Sequence, residues 1–166
     1  MKASTAGNIT TKALGILAVA WIGSVSVVAS SGHFATLDER IQGSQTVVVA
    51  SAHSVTPGWR QNAYGDRLIV SRVELDVEET LKGSGTARSV SMDLEGGTLD
   101  GFTLKVSDLP ELAPGERAVF FLDQQQDGTT TPHLRGQGIL KLNQNNVVIG
   151  SSLSLDNIRG VARGLR

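Results

Sequence analysis

Few side chains in this sequence have the types and spacing that catalysis needs. The histidines, His33, His53 and His133, are far apart and form neither an HxH nor an HExxH pattern, so they do not outline a metal site. Glu74, Asp76, Glu78 and Glu79 are four carboxylates within six positions. On an extended chain they form a solvated face, whereas glycoside hydrolysis needs two carboxylates across a cleft. Asp123-Gln124-Gln125-Gln126-Asp127-Gly128 begins like a calcium loop, but Gln125 stands at the third ligand position and Leu134 at the twelfth. It reads as a polar hairpin loop. Gly150-Ser151-Ser152-Leu153-Ser154 is neither a GxSxG elbow nor an SxxK pair, and no P-loop or GxGxxG is present. Glu116 has the most specific setting of the acids, directly after Pro114-Gly115 and before an apolar run. Its carboxylate is placed to accept turn N–H groups, with binding of a partner or cation as the functional alternative. The absence of cysteine removes thiol catalysis, redox function and Cys-based zinc sites.

What remains are large side chains in a polar turn region. Trp59, Arg60 and Tyr64 lie around Pro57-Gly58 and the turn-rich run Asn62 to Asp66. They are the candidate contact residues for a partner. The alternative is that Trp59 and Tyr64 fold back and cap the domain.

The elements that would position these residues are mostly strands. Thr46 to Ala50 is a β-branched run that reads as a strand buried on both faces, fading into Ser54-Val55 before a long hairpin loop. From Arg67 to Leu81, Val73, Leu75, Val77 and Leu81 alternate with Arg72, Glu74, Asp76 and Glu78, which predicts one face on a core and one in water. Val90, Met92 and Leu94 predict a third strand, ended or bulged by Gly96-Gly97. Phe102, Leu104 and Val106 predict a short strand or extended loop. Pro114-Gly115 fits the centre of a type II turn, and Ala118 to Leu122 reads as a central strand. Leu134 to Leu142 reads as a strand interrupted by Gly136 and Gly138, and Val147 to Ile149 as a short return. Thr36 and Glu39 form a capping-box pattern that opens a helix from Leu37 to Gly43, which ends at that glycine. Leu155, Ile158 and Ala162 are helically spaced after Ser154, which predicts a short C-terminal amphipathic helix.

The composition suits one domain of 166 residues with a formal net charge of −1, too near neutral for a nucleic-acid binder. Lys2 and Lys12 are the only charges before Asp38, and Ala13 to Ala29 is a 17-residue stretch without a charge. This is a signal-peptide pattern with a cleavage point after Ala29. An uncleaved membrane anchor and a buried helix in a cytosolic protein are the other readings. As a helix the stretch spans about 25 Å, short of a ~30 Å hydrocarbon core. Cleavage would leave 13 basic residues against 16 acidic ones, a net charge of −3. The expected organisation is a signal or anchor segment at 1–29, a linker at 30–35 and one domain at 36–166. The fold class expected is all-β: a small OB-like Greek-key barrel, whose glycine-punctuated strands suit tight corners, flanked by two short helices.

The order of these pieces resembles a widespread group of uncharacterised exported bacterial β-proteins. The shared features are a short helix before Val47-Val48-Val49-Ala50, a long strand ending in Leu81-Lys82-Gly83, then Gly96-Gly97, and finally Pro110, Gly115-Glu116 and Phe121-Leu122. The resemblance covers about two thirds of the chain and implies an OB-like barrel similar to netrin-like and metalloproteinase-inhibitor domains. Some members of the group are associated with matrixin-like metalloproteases. Inhibitor domains of that kind chelate the protease zinc through an N-terminal cysteine, which this chain lacks, and a matrixin HExxH is also missing. No functional residue carries over. The expectation is therefore a non-enzymatic exported module, periplasmic, extracellular or anchored facing outward. It needs no cofactor, and its partner is a protein or an envelope component. An accessory domain for an envelope protease or secretion system is the first alternative, and a hydrolase is the second.

Overall fold

The computed structural model describes residues 34–62, 64–84 and 87–165. The expected signal or anchor segment, most of the linker and His33 lie outside the described residues. Thr36 opens helix α1 (Leu37–Gly43) through a complete capping box: its hydroxyl accepts the Glu39 N–H, and the Glu39 carboxylate accepts the Thr36 N–H. The chain then enters two long strands, β1 (Thr46–Gln61) and β2 (Arg67–Lys82), followed by β3 (Ser89–Glu95). A small hairpin of β4 (Gly97–Leu99) and β5 (Phe102–Leu104) comes next. After it come β6 (Arg117–Gln124), β7 (Thr130–Pro132), a 3-10 turn (Arg135–Gly138), β8 (Ile139–Lys141) and helix α2 (Leu155–Gly164).

The main sheet has six strands and its ladders are antiparallel. Its path runs β3-β2-β1-β6-β7, with β8 also on β6. Among the described residues no ladder joins β3 to β7, so hydrogen bonding does not close the sheet into a barrel. The two ends of the path nevertheless lie together, with Cα atoms within 8 Å.

β1 is apolar from Val47 to Ala50 and β6 from Ala118 to Leu122, because both faces of this strand pair are covered. Val47, Val49, Val119 and Phe121 pack with Ile41 of α1 and with Leu155, Ile158 and Ala162 of α2. Val48, Ala50, Phe120 and Leu122 pack with Val73, Leu75, Met92 and Leu94 inside the curve of the sheet. Successive strand residues point to opposite faces, so the same run supplies both cores.

Three bulges alter the expected alternation. The β1–β2 register shifts past Glu78 and Leu81 on β2 and past His53 on β1. Each extra residue reverses the phase of the residues after it. Leu81, expected beside Val73 and Leu75, therefore packs under the helices instead. β1 also runs on through Pro57 and Gly58, where a loop was expected. β6 leaves β1 at Ser51, which makes the later part of β1 an edge, and proline is tolerated on an edge.

Two glycine-marked segments differ from expectation for a steric reason. The run from Leu134 is a 3-10 turn before β8, because Gly136 lies so close to Asp108 that a Cβ would be 1.7 Å from its carbonyl oxygen. α1 does end at Gly43, but the next residue is extended and no left-handed cap forms. A Cβ on Gly43 would stand 2.6 Å from His133 Nε2, so close packing accounts for this glycine.

Candidate binding site at the hairpin end

The long β1–β2 hairpin carries the three candidate contact residues, but it does not gather them into one patch. Trp59 pairs with Ile69 across the hairpin and faces inward, towards the β4–β5 hairpin. Its indole N–H donates to Asp100 Oδ2 at 3.2 Å. Phe102 meets it edge-on, with ring centroids 6.0 Å apart, and the Arg67 guanidinium lies 4.7 Å from its ring centroid. This is the folded-back arrangement, and it ties the two hairpins together. Arg60 is exposed and, being one residue on, faces the other side of the strand. Tyr64 stands at the tip and is 91% exposed. The tip itself is well bonded: Asn62 Oδ1 accepts the N–H groups of Tyr64 and Asp66, and the Asn62 N–H donates to Asp66 O at 3.0 Å.

Phe102, 64% exposed, and Asp100 and Arg67 belong to this region although none was a candidate from sequence. A local signal for them exists. Asp100-Gly101 sits between Thr98-Leu99 and Phe102-Thr103, and both turn residues have positive φ, 52° and 82°. Asp-Gly between alternating residues marks a two-residue hairpin of this kind.

Next to the crossed hairpins is a cleft of about 630 Å³. Val55 and Pro57 of β1, Leu94 of β3, Leu104 of β5 and Leu109 and Leu112 of the following segment line it. Arg135 fixes one wall by bonding Asp108 at 2.5 Å and Glu95 at 3.0 Å. The guanidinium holds the Asp108 carboxyl below the usual carboxylate range. A Lys105–Glu111 pair at 2.8 Å lies on the rim.

The reactive-looking groups elsewhere are engaged in pairs. His53 Nδ1 is 3.0 Å from Asp76 Oδ2 on an exposed surface, and the nearby Ser51 hydroxyl donates to Glu78. His133 Nδ1 is 2.6 Å from Asp123 Oδ2, and Asp123 Oδ1 accepts the Gln45 N–H, which joins the α1–β1 junction to β6 and β7. The calcium-like run is the β6–β7 turn, closed by the Gln125 N–H on Thr129 O at 2.7 Å. Among the described residues, no three of His, Asp and Glu are grouped as a metal site, and no helix is long and apolar enough to cross a membrane.

No protein-family model matches this chain, and no curated protein matches it either. Function has to be argued from the site itself. The sequence motifs, by contrast, have clear structural roles. Leu81 fills the helix-side core. Lys82 Nζ donates to Ile41 O, Gln42 O and Ser44 O at 2.6–2.9 Å, which satisfies the carbonyls at the end of α1. The Gly96 N–H donates to Ile69 O, and a Cβ on Gly97 would lie 2.6 Å from Ser71 Oγ, so the glycine pair lets the second hairpin lie close on the first. Gly115, at φ +84°, sits in a turn closed by the Glu116 N–H on Ala113 O. The Glu116 carboxylate accepts from the Ala113 N–H at 2.9 Å and from Lys141 Nζ at 2.8 Å. Burial opposes its ionisation, but these bonds outweigh burial and keep the carboxyl below the ordinary glutamate range.

Proposed function

We propose that this chain is an exported, non-enzymatic binding module built on an OB-like barrel, and that it engages a protein or an envelope component at the hairpin end. The charge-free stretch from Ala13 to Ala29 supports export. The path β3-β2-β1-β6-β7, with β3 and β7 side by side, supports a five-strand barrel order in which the two ends meet. Such barrels bind with strand faces and the loops beside them.

The observation that carries the reading is the combination along the two crossed hairpins. A hydrogen-bonded tip exposes Tyr64, the second hairpin exposes Phe102, and a mostly apolar cleft opens beside the second hairpin. Aromatic side chains held on bonded turns give contact area at low entropic cost.

The test is capture from envelope extract by the full chain and by a Tyr64→Ala, Phe102→Ala double variant. Loss of the captured component, from a variant that circular dichroism shows still folded at the assay temperature, is the expected outcome. Equal capture by both proteins would place binding elsewhere on the domain.

A further inference from the structure

β1 changes neighbours along its length. Up to Ser51 it is paired on both sides, by β2 and by β6. Beyond that point β6 is gone, and among the described residues β1 continues for ten residues with a ladder partner on the β2 side only. The direction of each main-chain group follows from two hydrogen bonds. The Ala52 N–H donates to Glu116 O, so before the His53 bulge the even residues face β6. The Asn62 N–H donates to Asp66 O, so after the bulge the even residues face β2. Val55, Pro57, Trp59 and Gln61 therefore direct their main-chain groups to the vacated side. Pro57 brings no donor, which leaves Val55 and Trp59 as the donors on either side of it.

The side chains beside this edge supply the second half of the argument. Val55 and Pro57 line the cleft that Leu94, Leu104, Leu109 and Leu112 complete. A strand laid on the edge would continue the line of β6, and its inward side chains opposite Val55 and Pro57 would border a mostly apolar cleft of about 630 Å³.

We propose that the free edge of β1 from Val55 to Gln61 is a strand-addition site for an extended peptide segment of a partner protein with apolar residues at alternate positions. The proposal rests on the binding-module reading and narrows it to a main-chain ladder. Pro57 favours a peptide over a second copy of this chain. Two copies paired through this edge bring two prolines into the ladder, and a peptide meets only one. Proline on an edge is a common device against such self-pairing.

The test is amide hydrogen exchange by NMR on the full chain, alone and with a blocked octapeptide that has valine at alternate positions and threonine or lysine between them. In the free chain, Thr56 and Gly58 exchange slowly because they face β2, whereas Val55 and Trp59 exchange fast. With the peptide, Val55 and Trp59 slow by about tenfold or more, as expected for a new bond of about 1.4 kcal/mol. N-methylation of one of the two alternating sets of peptide amides weakens binding by about tenfold or more, since it removes the ladder donors. Protection of Val55 and Trp59 in the free chain would overturn the proposal. So would peptide binding that both N-methylated peptides retain, an absence of binding, or a concentration-dependent dimer that accounts for the protection. The Tyr64→Ala, Phe102→Ala variant separates this site from the tip. If it loses envelope capture but keeps peptide binding, the tip reading stands apart from the edge. If capture persists while the unmodified peptide never binds, the edge proposal fails alone.

Discussion

At the scale of single residues, the informative positions are those where one atom too many has nowhere to go. Gly43 faces the His133 ring, and the ring is held in place by Asp123. Gly43→Ala should therefore cost about 1–3 kcal/mol, the range for forcing a methyl into packed space. In a His133→Ala background most of that cost should disappear, and a double-mutant cycle from urea unfolding reads the difference. Near-additive effects would mean that helix propensity, not the ring, governs this glycine. Glu116 gives a second test. Its folded-state carboxyl titrates below the ordinary range, so the unfolded chain binds a proton first as pH falls. The stability contributed by the carboxylate is thus present above the unfolded value and is lost as pH drops through the folded one. The melting-temperature gap between wild type and Glu116→Gln should be open at about pH 6 and close by about pH 2. The carboxyl is partly exposed, so screening keeps the gap small.

At the scale of elements, Lys82 shows how a sequence motif becomes a joint. Its ammonium holds three carbonyls at the end of α1 from the end of β2, although about 40 residues separate them. Lys82→Met keeps the stem and removes the donors, so it should cost about 1–3 kcal/mol and speed amide exchange in α1 more than in β6. A uniform change in exchange across the chain would show that the joint is not local. Local signals of this kind are legible in the sequence wherever the cause is itself local. The Thr36–Glu39 capping box, the Ser154 cap of α2, the turn at Pro114-Gly115 and the doubly buried start of β1 all follow from neighbours within a few positions. The segments that sequence alone misplaces depend on distant partners. Pro57-Gly58 looks like a loop because only the departure of β6 makes it an edge. Leu81 looks like a neighbour of Leu75 because the Glu78 bulge exists only in the β1–β2 register. Gly136 and Gly138 look like breaks in a strand because the Asp108 and His133 backbones they press against lie elsewhere in the chain. The candidate site divides in the same way. Trp59 and Tyr64 are visible as large groups in a turn region, but Phe102 and the cleft require the folding of one hairpin across another.

At the scale of the whole molecule, one strand pair separates two cores. Phe120 and Phe121 are adjacent and both fully buried, yet they belong to opposite faces of β6. Phe120 fills the inside of the curved sheet, and Phe121 fills the layer beneath α1 and α2. If the helices were a detachable cover, Phe121→Ala would melt them first and leave the sheet folded. The structure argues against that, because Val47, Val49 and Val119 of the two central strands lie in the same layer as the helices. Uncovering it would expose apolar residues on strands that also hold the inner core together. Each of Phe120→Ala and Phe121→Ala should therefore cost about 3–5 kcal/mol, the range for truncating a buried phenylalanine. Each variant should still unfold in a single transition, with far-ultraviolet circular dichroism and tryptophan fluorescence changing together. With Trp21 replaced by Phe, Trp59 makes the comparison demanding, since it reports from the hairpin end while the helices report from the other face of the sheet. A helical signal lost before the fluorescence in Phe121→Ala would divide the domain into two layers of unequal stability. It would also place the hairpin end, with its cleft, in the layer that survives.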